Sequence, residues 1–169
     1  MSQAMKNSGS TRIFTSHYQL VVCSDVKAFA EASNWKDEDL ERGFAGNERF
    51  RMIGTEADLN DHWVEALLSQ TPPDLEDWHR VVCVALENDS GQIHVMSVVD
   101  LEPPITIDAP RGPYSIYVAG RNLGVDQSSL GEEDELTDHE IAQRKDLEWY
   151  RIFVVPGVPQ KVGRIKDTA

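Results

Sequence analysis

Two apolar runs separated by four polar residues constrain this chain more than anything else in it. His79–Glu87 and Gln92–Asp100 flank Asn88-Asp89-Ser90-Gly91, a short loop ending in glycine. Runs of this length, rich in valine, predict a β-hairpin. With Glu87 opposite Gln92, Val82, Val84 and Leu86 share one face with Ile93, Val95 and Val99. The other face holds Val81, Cys83 and Ala85 with Val98, Met96 and His94. Apolar residues on both faces need cover on both sides, so the pair belongs in the middle of a layered β structure.

The rest of the chain reads the same way. His17–Cys23, Ile105–Ile107, Tyr114–Ala119 and Trp149–Val155 predict short strands, Glu48–Gly54 and His62–Ser69 further strands or edges, and Val26–Ala32 a strand whose alanines leave a helix open. Gln70-Thr71-Pro72-Pro73-Asp74 is a loop, since paired prolines remove two backbone donors. Lys36–Arg42 has early acids and a late arginine, which suits one or two helical turns stopped by Gly43. Thr137-Asp138-His139-Glu140 has capping-box spacing and predicts a short helix over 138–146. Many short strands with Gly/Pro turns and one or two short helices predict an all-β, single-domain antiparallel β-sandwich, with a β-barrel as the nearest competitor. Residues 1–12 read as a flexible tail, 13–157 as the sandwich carrying an acidic insert at 120–147, and 158–169 as a C-terminal tail. A chain of 169 residues can bury a sufficient core without disulfides or metals.

The net charge of −13 is unevenly placed. Residues 1–55 carry seven bases and seven acids, residues 56–148 carry 21 acids and five bases, and residues 149–169 carry four bases and one acid. A surface so charged disfavours nucleic acid and anionic lipid as direct ligands, because both reward basic groups. It suits a basic protein partner. Two acidic knots stand out: Glu132, Glu133, Asp134 and Glu135, followed by Asp138 and Glu140, and an earlier one at Asp74, Glu76 and Asp77 beside Trp78. A solvated, solubilising surface accounts for them without any partner. As a docking face, they would imitate a phosphate array and speed encounter with the basic cleft of a nucleic-acid enzyme.

No catalytic signature is present. His139-Glu140-Ile141-Ala142-Gln143 puts glutamine where a zinc-protease helix needs its second histidine. The histidines His17, His62, His79, His94 and His139 lack ligand spacing and read as surface or partly buried residues. Cys83 and His94 would meet on one hairpin face, but a mid-strand cysteine under cover is inert. Cys23 and Cys83 read as reduced, buried small hydrophobes. The acidic loop lacks calcium-loop spacing, and no cofactor is expected. No leader peptide or membrane-length apolar run is visible, so a cytoplasmic location is expected.

Four blocks occur in an order that resembles the ComJ family, small acidic proteins that inhibit a competence-associated nuclease. They are Tyr18-Gln19-Leu20-Val21-Val22, Trp35–Phe44, His79–Val84 with its partner run, and Arg111–Tyr117 with the closing Tyr150–Pro156. The insert at 120–147 is additional to the family's compact form, and no residue roles transfer. The resemblance implies a non-enzymatic acidic protein that binds a basic partner such as a nuclease, as inhibitor or immunity-type protein. The alternative is a small-ligand module in which Trp35, Trp63, Trp78 and Trp149 supply aromatic walls around a cavity of several hundred Å³.

Overall fold

Asn88 is fully buried, and its side chain saturates the backbone of the loop between the two apolar runs. Its Oδ1 accepts from Ser90 N (3.3 Å) and Gly91 N (3.1 Å), while Nδ2 donates to the carbonyls of Ala109 (3.1 Å) and Pro110 (3.3 Å). A loop held this way carries the chain out of one sheet and into another. The computed structural model describes residues 6–15, 18–28, 35–56, 60–123 and 148–168.

Eleven strands are present among these residues: β1 (Ser8–Thr15), β2 (Gln19–Cys23), β3 (Phe44–Asn47), β4 (Phe50–Gly54), β5 (Asn60–Leu68), β6 (Arg80–Asn88), β7 (Gln92–Ser97), β8 (Ile105–Asp108), β9 (Gly112–Arg121), β10 (Trp149–Pro156) and β11 (Gly163–Asp167). One α-helix, α1 (Asp37–Arg42), and 3-10 turns at Val26–Ala28 and Leu75–Asp77 complete them. The first sheet has the order β1-β5-β10-β9-β6-β11, and the second β3-β4-β2-β7-β8. All pairs are antiparallel except β5 with β10. The two sheets make a β-sandwich.

The expected hairpin is not formed. β6 pairs with β9 and β11, whereas β7 pairs with β2 and β8 in the opposite sheet. The connection is an arch. Val82, Val84 and Leu86 do meet Ile93 and Val95, but face to face across the core rather than side by side. Val99, expected on that face, lies beyond the end of β7 and is half exposed. Residues between these positions point outward on opposite sides of the sandwich, so Cys83 and His94 are not neighbours. Both outer faces are nevertheless apolar. Val21, Cys23, Phe50, Met52 and Met96 cluster outside the second sheet, and Trp63, Trp78, Val81, Ala119 and Trp149 outside the first.

Other expectations also change. Ser8–Thr15, mostly assigned to a flexible tail, adds an edge strand to β5, and Gly163–Asp167 in the expected C-terminal tail adds one to β6. Val26–Ala28 is a 3-10 turn instead of the start of a strand. The helix at 36–42 forms as α1, with Lys36 N donating to Asp39 Oδ2 (2.9 Å) and Gly43 ending it at φ 87°. The helix expected over 138–146 lies outside the described residues.

Gly46, in β3, has φ 98°, and a Cβ there would stand 2.1 Å from the Phe50 carbonyl oxygen. Gly46→Ala is expected to cost about 2 kcal/mol, read as a shifted denaturation midpoint.

Candidate functional site

The Asp74–Asp77 knot is an exposed turn whose shape its own side chains make. Asp74 caps it, with Oδ1 accepting from Glu76 N (3.1 Å). Two cations tie its carbonyls: Lys166 Nζ donates to Leu75 O (2.5 Å) and Arg121 Nε to Asp77 O (2.6 Å). Asn122 N donates to His79 Nδ1 (3.1 Å). The turn therefore sits against the end of β9, where the chain enters the acidic insert. Glu132, Glu133, Asp134, Glu135, Asp138 and Glu140 lie outside the described residues.

Behind the turn, Trp78 is buried edge-on to Trp149 (5.3 Å between centroids) and Phe153 (6.2 Å). The Arg121 guanidinium stacks over Trp78 at 4.5 Å and Trp149 at 5.2 Å, and Arg151 lies 5.4 Å and 5.6 Å from the same rings. Trp63, Trp78 and Trp149 thus cover the first sheet and make no open aromatic wall.

Trp35 differs. With Tyr18, Leu40, Glu56, Arg80 and Arg164 it lines an open cleft of about 370 Å³. Arg80 is the floor, almost wholly buried, with Nη1 2.5 Å from Glu56 Oε1 and Nε 3.3 Å from Asp167 Oδ1. Burial alone would lower its pKa, but the two carboxylates outweigh that and push it up. Arg164 donates to Asp167 Oδ2 (3.3 Å) and Leu40 O (3.3 Å), closing one side. At the rim, Tyr18 is 52% and Leu40 59% exposed. Tyr18 has φ 58°, a left-handed backbone unusual for a bulky residue.

Under the cleft runs a polar chain that the sequence reading missed. Thr15 Oγ1 lies 3.1 Å from His62 Nδ1, and His62 Nε2 lies 3.6 Å from Glu148 Oε1. Glu148 Oε1 also accepts from the Tyr150 hydroxyl and from Glu56 N (3.0 Å). Burial, reinforced by the Glu148 charge, holds the Tyr150 pKa well above its ordinary value. Hydroxyl, imidazole and carboxylate occur in relay order, but Thr15, His62 and Glu148 are all shut off from solvent. No substrate reaches them there; they pin the strand that follows the insert. His62 is therefore fully buried, not a surface or partly buried histidine.

Burial raises the Cys23 thiol to about 12 and Cys83 to about 11, which leaves neither as a nucleophile near neutral pH. Among the described residues, no group of three or more His, Cys, Asp or Glu is placed to hold a metal ion, and no helix is long and apolar enough to cross a membrane.

A sequence model of the family described as Competence protein J (ComJ) matches residues 12–143. Among curated proteins nothing matches. Two solved structures are similar in fold. One is ComJ of Bacillus subtilis, described as an inhibitor of the DNA degrading activity of NucA, at 15% identity and TM-score 0.63, covering 92% of this chain and 100% of that one. The other is described as Crocagin biosynthetic gene J, at 13% identity and TM-score 0.54, with the same coverage of both chains.

Proposed function

The chain belongs to the Competence protein J (ComJ) family, and from that premise we propose that it is a non-enzymatic inhibitor that binds a basic nuclease through its acidic surface. The observation that carries this reading is the family match over residues 12–143. The Bacillus subtilis ComJ fold supports it, since that protein inhibits a nuclease. Charge supplies the mechanism. An array of carboxylates resembles the phosphate array that a nuclease cleft is built to receive, so it steers encounter and occupies the substrate path. The exposed Asp74, Glu76 and Asp77 turn lies against Arg121 and Asn122 at the end of β9, from which the chain runs on toward Glu132, Glu133, Asp134, Glu135, Asp138 and Glu140, and both knots are offered as contact points. The cytoplasm, where nucleic acid needs protection from such an enzyme, is the compartment this reading implies.

DNA degradation by NucA is measured with and without the chain, and association is followed across a salt series. Inhibition with an on-rate that falls steeply between low and physiological salt is expected. Changing Glu132, Glu133 and Glu135 to Gln and Asp134 to Asn should slow association about tenfold at low salt while the melting temperature holds or rises slightly. An unchanged on-rate removes the docking role of residues 132–135, and the same test then passes to Asp74→Asn, Glu76→Gln and Asp77→Asn. Absence of inhibition, with the chain folded, defeats the nuclease reading.

The small-ligand reading retains one specific observation, the cleft beside Trp35 and Tyr18. Of the four tryptophans invoked for it, Trp35 alone lines that cleft.

A further inference from the structure

We propose that the cleft between Tyr18, Trp35 and Glu56 receives a single cationic side chain, arginine above all, from a basic protein partner. This rests on the reading of the chain as a binder of basic proteins, and it assigns a contact point that neither acidic knot supplies. Two aromatic side chains and one aliphatic one border a cleft of about 370 Å³, roomy enough for one long side chain and a flanking stretch of backbone.

The charges around it select the occupant. Both guanidiniums of the cleft are already engaged, Arg80 by Glu56 and Asp167, and Arg164 by Asp167 and the Leu40 carbonyl. Two carboxylates and two guanidiniums balance in charge there. The Glu56 side chain is 41% exposed, and a carboxylate has about four lone-pair sites, so it can accept from a second donor while holding Arg80. On α1, whose Leu40 lines the cleft, Asp37, Glu38 and Glu41 are exposed to solvent. An incoming guanidinium would stack on an aromatic face and donate to Glu56, two interactions that reinforce each other when water is excluded. Aromatic and aliphatic walls with one half-exposed carboxylate have the composition of a small interface centre.

The test uses the full chain labelled with 5-fluorotryptophan and the capped tetrapeptides of arginine and of glutamate as probes. The Trp35 fluorine resonance is identified by its loss in Trp35→Phe. It should move saturably with the arginine peptide and stay still with the glutamate peptide. Glu56→Gln, which keeps an oxygen for Arg80, should weaken that response at least tenfold. A Trp35 resonance that ignores the arginine peptide, follows both peptides alike, or responds equally in Glu56→Gln overturns the proposal. The nuclease assay is scored separately: a responsive cleft without inhibition of NucA removes the nuclease reading and leaves the cation site standing, and inhibition with a silent cleft does the reverse.

Discussion

Raising the pH above 9 should unfold this protein steeply, and the two cysteines should set most of the slope. Cys23 and Cys83 are both fully buried, and burial lifts their pKa values from an ordinary 9.0 to about 12 and about 11. The fold therefore holds both thiols protonated where the unfolded chain has lost them. Stability that depends on a raised pKa is fully present below the unfolded value and drains away as pH climbs toward the folded value. The window is pH 9 to 11 for Cys83 and 9 to 12 for Cys23. Each thiol contributes roughly 1 kcal/mol per pH unit inside its window, so the two together remove a few kcal/mol by pH 11. That is a large share of the stability of an ordinary domain. Tyr150, held protonated by burial and by Glu148, adds to the loss above pH 10. Denaturant midpoints measured from pH 7 to 11 check this, with the double variant Cys23→Ala, Cys83→Ala as the control. A double variant whose stability falls just as steeply between 9 and 10 would show that the thiols are not the cause.

Ile116→Ala should cost about 3 kcal/mol, because it hollows out the middle of the core. Ile116 is fully buried on β9, flanked in its own sheet by Val84 and Val154. Its side chain belongs to the cluster between the two sheets, with Val22, Ile93 and Ile107 on the other side. A packed interior closes only partly over a lost group, so the transfer loss and the cavity add. Val99→Ala is the matched control. The hairpin register places that valine on the Val82 face, but it is 52% exposed, and its truncation should stay within about 0.5 kcal/mol. Equal losses at the two positions, measured by chemical denaturation, would contradict the arch and restore the hairpin arrangement.

The acidic turn was legible because its signals are local. Pro72 and Pro73 forbid a strand, and Asp74, Glu76 and Asp77 keep the segment in water; Asp74 then caps its own turn. The cleft was not legible, since Tyr18, Trp35, Glu56, Arg80 and Arg164 come from five separate stretches of chain. Nothing in the neighbourhood of any one of them announces the others. His62 was misjudged, and Glu148 passed over, for a different reason. A carboxylate and an imidazole read as surface groups unless partners are known, and theirs, Tyr150, Thr15 and the Glu56 amide, become neighbours only through the pairing of β1, β5 and β10. Two solved chains of this fold carry unlike descriptions, a nuclease inhibitor and a biosynthetic gene product, so the sandwich by itself selects no function.

What the amino-acid order determined alone was which side chains leave water, where the backbone turns, and where the negative charge accumulates. Alternation in a strand has a period of two residues, so Val82, Val84 and Leu86 must share a face whatever their strand pairs with. Gly43 ends α1 and Pro72-Pro73 breaks the chain for equally local reasons. The choice of partner was made only by the tertiary structure. A strand that is apolar on both faces gains as much from one neighbour as from another, and lengthening a loop costs little extra entropy. β6 therefore paired with the distant β9 and β11 while Asn88 turned the nearby β7 into the opposite sheet, and the segments at either end of the chain closed the edge beyond β5 and the edge beyond β6.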